Sequence, residues 1–256
     1  MKTKTLSAVV AFIIFTMIAI SAFASPEGPG QVTRTSNQRR TAAIDNSSGG
    51  AIIPAQGGNV TSLSVNSTKV SQRWQGYYGN ITGSITLDDA NNKTLYSWDL
   101  ASPQGEIYAS NGSEIGAVSW SKVFCFNYTN NLSNGVVPLQ LFNGTDVERM
   151  VGANEYDRDS FNATFQSYFT GSFQVGSIVI DSTDSCRQVS LNVNDAAQSA
   201  DFQEVLLTDN SSIIFAALLE QDATGFQSGP VDFEMVVGEN GEIAAASTYY
   251  FFVELT

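Results

Sequence analysis

The chain predicts an all-β fold, an antiparallel β-sandwich or open barrel with one short helix, and three observations carry that prediction. Apolar and polar residues alternate in separate stretches: Ile81, Gly83, Ile85 and Leu87 with Thr82, Ser84 and Thr86; Val189, Leu191 and Val193 with Ser190 and Asn192; Val231, Phe233 and Met235 with Asp232 and Glu234. Period two with polar partners describes strands with one wet face. Turn chemistry breaks these stretches at Asp88-Asp89, Asn111-Gly112, Asn134-Gly135, Asn143-Gly144 and Asn240-Gly241, which is hairpin punctuation. No repeat recurs along the chain, so solenoids and propellers are excluded.

Taken in order, residues 1–24 read as a secretory signal peptide. Lys2 and Lys4 supply a basic start, Leu6 to Ile20 is a mostly apolar stretch of 15 residues, and Ala22-Phe23-Ala24 is a small-x-small cleavage site. Residues 25–58 read as a flexible N-terminal arm, poor in aromatics, with Ala51-Ile52-Ile53 its one apolar spot. Residues 59–256 read as a single β domain that opens with the alternation of Leu63 and Val65. Thr145 to Tyr156 is the candidate helix, with Thr145 as its cap and Glu148 three residues on, the spacing of a capping box. Ile213 to Leu219 is an unbroken run of seven apolar residues that suits a strand buried on both faces or one short helix, and its length favours the strand. The chain closes with an amphipathic strand, Tyr249 to Thr256, and no stretch after the leader is long enough to span a membrane.

A leader of this kind places the protein outside the cell or on its surface, where Cys125 and Cys186, the only cysteines, meet oxidising conditions. Both lie in strand-like sequence, so a disulfide would tie two strands of one domain. Closing a loop of 60 intervening residues contributes on the order of 4 kcal/mol. Asn-x-Ser/Thr occurs at Asn46, Asn59, Asn66, Asn80, Asn92, Asn111, Asn127, Asn131, Asn143, Asn162 and Asn210, whereas random order of the same residues would give about 4 such sites. We read these as N-glycosylation acceptors.

Charge narrows the chemistry. Without the leader the chain carries 25 acidic and 10 basic residues, which argues against nucleic acid and anionic membranes as partners. It has no histidine, so Ser-His-Asp and Cys-His catalysis, imidazole metal sites and histidine pH switching are out of reach. Residues 189–256 hold 11 acidic residues and no Lys or Arg. That stretch reads as a solvated acidic face, able to meet divalent cations or the basic arm (Arg34, Arg39, Arg40) of a neighbouring copy. Glu155, Asp157 and Asp159 stand two apart like the opening of a calcium loop, but Ser160 and Gln166 occupy the positions where such a loop has Gly and Glu. Calcium is therefore the one cofactor the sequence offers. A carboxylate hydrolase needs only two acids 5–10 Å apart, yet nothing selects a pair among 25; the reading is not an enzyme. Trp74, Tyr77, Tyr78, Trp98 and Trp120 are the residues from which a sugar-stacking face would be built.

The cleavable leader, dense sequons, acidic β-rich body, only three Lys beyond the leader (Lys69, Lys93, Lys122) and long small-residue arm together resemble secreted surface proteins of archaea, of the S-layer, pilus or thread type. The resemblance implies a structural or adhesive surface protein; self-assembly through the N-terminal arm, by strand addition to a neighbouring copy, is what the arm itself offers. Its partners would be itself or other surface proteins; the alternative is an extracellular module binding carbohydrate or another ligand.

Overall fold

A computed structural model describes residues 30–31, 71–99, 104–112, 117–128, 144–194, 196–197, 201–239 and 247–255. The leader, most of the arm, the Leu63–Val65 stretch and the candidate sites Asn46, Asn59, Asn66, Asn131 and Asn143 lie outside the described residues. The N-terminal half contributes β1 (Gly30–Gln31), β2 (Trp74–Gly79), β3 (Ser84–Asp88), β4 (Thr94–Asp99), β5 (Gly105–Ser110) and β6 (Phe124–Cys125). After α1 (Gly144–Met150) and α2 (Phe161–Thr164) come β7 (Ser167–Tyr168), β8 (Ser172–Val175), β9 (Ile178–Asp181) and β10 (Arg187–Ser190). Short strands β11 (Asn192–Val193) and β12 (Ala196–Ala197) lead into β13 (Gln203–Thr208) and β14 (Ile213–Leu218), followed by β15 (Ala223–Thr224), β16 (Pro230–Val231), β17 (Phe233–Gly238) and β18 (Tyr250–Leu255).

An eight-stranded antiparallel sheet runs in the order β1–β18–β5–β14–β13–β10–β7, with β6 also on β13, and does not close into a barrel. Both faces of its centre are covered. On one, Leu206, Ile213, Phe215 and Ala217 pack against Met235 and Val237 of β17, against Val147 and Phe161 of the helices, and against Val151 and Phe165 just past their ends. On the other, Tyr108, Val205, Leu207, Ile214 and Phe252 pack against Phe173, Val175 and Ile180 of the β8–β9 hairpin. Two-sided burial is why the Ile213 run lacks alternation: it is β14, with Ile213 through Ala217 fully buried. Each large side chain so buried contributes about 1.5–3 kcal/mol.

The helix differs from expectation in its contacts. α1 ends at Met150, and α2 adds a single further turn. Glu148 does not serve a capping box within α1: its carboxylate accepts the amides of Phe161 (2.9 Å) and Asn162 (2.9 Å) at the start of α2, along with the Tyr128 hydroxyl.

Cys125 and Cys186 form a disulfide with their Cα atoms 4.8 Å apart. It sits at a seam. β13 pairs on one edge first with β10 (Gln188 opposite Val205) and then with β6 (Cys125 opposite Leu207). The register that places Gln188 opposite Val205 would carry Cys186 to Leu207, where Cys125 takes over, so the bridge joins the two strands at their hand-over.

The β3–β4 hairpin departs from the one-wet-face pattern. Ile85 pairs with Trp98 and Leu87 with Tyr96, yet these residues remain 45–59% exposed, so its apolar side is uncovered among the described residues. No helix among the described residues is long and apolar enough to cross a membrane.

Candidate functional site

The described arm residues lie at the rim of the central sheet. Gly30 is opposite Val253 and Gln31 opposite Phe252 on β18. On its inner edge β18 is paired along all six residues with β5, from Tyr250 opposite Ser110 to Leu255 opposite Gly105. On its outer edge Phe252 and Val253 alone have strand partners among the described residues. Among the described residues, then, four positions of this strand have no strand partner on that edge, and an unpaired edge is what templates strand addition. Gly105 makes the approach feasible: at φ +127° it packs so closely that a Cβ would lie 2.1 Å from the Glu254 carbonyl oxygen.

At this end of β18 two carboxyls face each other. Glu106 is directly opposite Glu254 and buried. The Tyr108 hydroxyl lies within 3.5 Å of Glu106 Oε2, 3.4 Å of Glu254 Oε2 and 3.3 Å of the Gln174 carbonyl oxygen. The Gly176 amide, in the β8–β9 turn, donates to both oxygens of Glu254 at 3.0 and 3.1 Å. Burial, and then the neighbouring Glu254, push the Glu106 carboxyl up to about 8, against a smaller downward pull from the Tyr108 hydrogen bond. Burial likewise raises the Tyr108 hydroxyl.

The structure distributes the sites expected from sequence widely. Asn80 and Asn92 are exposed, Asn92 at the tip of the β3–β4 hairpin with φ +58°. Asn111 is half-buried and engaged: its Oδ1 accepts the Ile213 amide at 2.9 Å and its Nδ2 lies 3.7 Å from Met150 Sδ. Asn127, Asn162 and Asn210 are half-buried. Asp157 and Asp159 both face Arg73 Nη1, at 2.8 and 2.7 Å, and Ser71 Oγ donates to Asp159 at 2.7 Å. The guanidinium thus occupies the space between the carboxylates read as calcium ligands with Glu155, and no group of three such ligands converges among the described residues. The aromatic residues do not gather into one platform. Trp74 packs on Phe161, Tyr77 on Phe251 and Trp120 on Phe252, while Trp98 stands with Tyr96 on the exposed hairpin. A cleft of about 460 Å³ beside the disulfide is lined by Val123 to Tyr128 and Ile178 to Ile180; Asp184 is the one carboxylate on its described walls.

Sequence reasoning missed what the acids of the C-terminal part do. Glu204, Asp209, Asp232 and Glu234 are buried and receive backbone amides instead of facing water. Glu204 takes the Val236 amide at 2.7 Å and Asp232 those of Ile81 and Asp222 at 2.7 and 3.2 Å; Glu234 takes that of Phe226. Asp209 takes the amides of Ser119 (2.8 Å), Ser211 (3.0 Å) and Ser212 (2.7 Å). A fold of many short strands leaves amides without ladder partners, and a buried amide left unbonded is costly. These carboxyls meet that need. The acidic bias of this part is in good measure internal.

The described residues thus form an open antiparallel, all-β, disulfide-bonded fold with two arm residues paired on the rim of its central sheet. No protein-family model, curated protein or solved structure matches the chain.

Proposed function

We propose that this is a secreted, glycosylated structural or adhesive protein of the cell surface, and that copies join when the N-terminal arm of one adds a strand to the β18 edge of the next. The observation that carries the reading is the pairing of Gly30–Gln31 with Phe252–Val253: arm residues lie on a sheet rim, and among the described residues β18 has no other partner on that edge. Thirty-nine residues separate Gln31 from Ser71, and a chain of that length reaches on the order of 130 Å when extended, ample to serve a neighbour as well as its own domain. Strand addition draws its affinity from main-chain hydrogen bonds, which suits an edge where the arm offers few large side chains. The leader, the disulfide and the exposed Asn80 and Asn92 support an extracellular setting.

Light scattering and negative-stain imaging of residues 25–256, with and without calcium, test the proposal against a chain starting at residue 34. Fibres or sheets from the first and monomers from the second are expected; assembly unaffected by the deletion overturns it. A second reading, a carbohydrate- or ligand-binding module, is favoured by one feature, the uncovered hairpin face of Ile85, Leu87, Tyr96 and Trp98. Glycan-array binding that is lost in Trp98→Ala, on an otherwise monomeric protein, would select it.

A further inference from the structure

We propose that Glu106 and Glu254 are a proton-sharing latch that sets how firmly the arm-accepting strand is held. With one proton between them the pair closes the end of β18 onto β5 and the β8–β9 turn, and with both ionised it releases that end. The inference rests on arm addition for its biological use, but its physical content is independent of it.

The geometry makes the case. Directly opposed positions in an antiparallel pair bring Cβ atoms to about 5 Å, and like charges there repel strongly when water is excluded. Among the described residues, the groups facing the pair supply no compensating cation. From β5 comes the Tyr108 hydroxyl; from β14, Leu218 opposite Glu106; from β18, Phe252 two residues from Glu254. The β8–β9 turn gives the Gln174 carbonyl and the Gly176 amide. No Lys or Arg is among them. A single proton eases the conflict: with Glu106, the more buried of the two, neutral, the Gly176 amide and the Tyr108 hydroxyl are left to Glu254. When that proton leaves to solvent, a buried carboxylate on Glu106 and a half-buried one on Glu254 remain with one hydroxyl and one amide to share.

Release has a route because Glu254 is one residue from Val253, where β1 pairs. Fraying β18 from its C-terminal end removes the edge that β1 uses. The raised Glu106 carboxyl gives the sign. The closed state holds a proton that a frayed state, with ordinary carboxyls, gives up. Closure is therefore complete in acid, and its advantage drains as the pH rises from the usual carboxylate range to about 8.

The test is amide hydrogen exchange of residues 250–255 in the chain 25–256 between pH 5 and pH 9, corrected for intrinsic exchange, with Glu106→Gln alongside. The wild type should open roughly tenfold or more as the pH rises, and Glu106→Gln less than about twofold. An unchanged pH dependence in Glu106→Gln overturns the latch. Should that variant fail to fold, Glu254→Gln is read beside it: it gives up an acceptor for Gly176, so its opening is larger throughout, and its pH dependence must be smaller than the wild type's, keeping the part that burial of Glu106 alone supplies; an undiminished dependence overturns the latch. Intermolecular cross-linking of Gly30→Cys chains to Val253→Cys chains is measured separately. A flattened exchange profile without cross-linking at any pH leaves the latch standing and removes arm exchange. Cross-linking with an unaltered profile does the reverse.

Discussion

Glu204 Oε2 accepts the backbone amide of Val236 at 2.7 Å, from a position with no exposed surface. β17 pairs with β2 and not with the central sheet, so this side-chain bond spans the layers where no ladder does. The other oxygen, Oε1, has no hydrogen-bond partner among the described residues. Burial raises the carboxyl well above its ordinary value, outweighing the Val236 amide that lowers it, and the neutral acid is the form suited to the site.

Two substitutions separate the cap from the charge. Glu204→Ala leaves the Val236 amide buried without an acceptor and should cost about 1–3 kcal/mol in urea unfolding. Glu204→Gln keeps an acceptor and cannot ionise. Because the native carboxyl is raised, its contribution is complete in acid and declines as pH rises; Glu204→Gln should narrow the gap between unfolding at pH 4.5 and pH 8. Equal gaps in variant and wild type would contradict the assignment.

Asp209 should behave with the opposite sign. Burial raises its carboxyl, but the amides of Ser119, Ser211 and Ser212 more than offset that and hold it below its usual value. A lowered carboxyl contributes stability above its unfolded-state titration that is lost as pH falls through the native one. Asp209→Asn should cost about 1–3 kcal/mol at pH 7 and progressively less toward pH 2, as followed by thermal melting. A deficit that grows with acid would rule this out.

The disulfide holds β6 and β10 together on the β13 edge. Replacing Cys125 and Cys186 with Ala should lower stability by on the order of 4 kcal/mol, with exchange protection lost first at Phe124–Cys125 and Arg187–Ser190. Uniform loss across all strands would argue against the seam.

Glycan placement follows accessibility. Asn80 and Asn92 should carry glycans in the native host. Asn111 should not, since the nitrogen that would bear the sugar lies against Met150 and its oxygen holds Ile213. Intact-glycopeptide mass spectrometry decides it, and a glycan on Asn111 would contradict the packing described.

Local features of the sequence were legible and distant pairings were not. The seven-residue apolar run could be read as a doubly buried strand because length and composition are local, and a chain with only two cysteines allows one internal bridge. Asp232 and Glu234 alternate with apolar neighbours as a wet face would, but both are buried, because alternation reports polarity and not the orphan amides of Ile81 and Phe226 that the acids serve. Ile85, Leu87 and Trp98 have the pattern of a covered face and are exposed, since nothing in the hairpin specifies a second layer. Glu106 and Glu254 meet through strand register across 148 positions, and no local pattern encodes that.

Strand exchange itself is tested most directly by mixing two single-cysteine chains, Gly30→Cys and Val253→Cys, each with the native disulfide intact. Their Cα atoms are partners across β1 and β18, so oxidation joins two chains only where the arm of one lies on the sheet of another. The account predicts covalent heterodimers from the mixture. Free monomers there, with ready closure within one chain in the double variant, would show that the arm serves only its own domain.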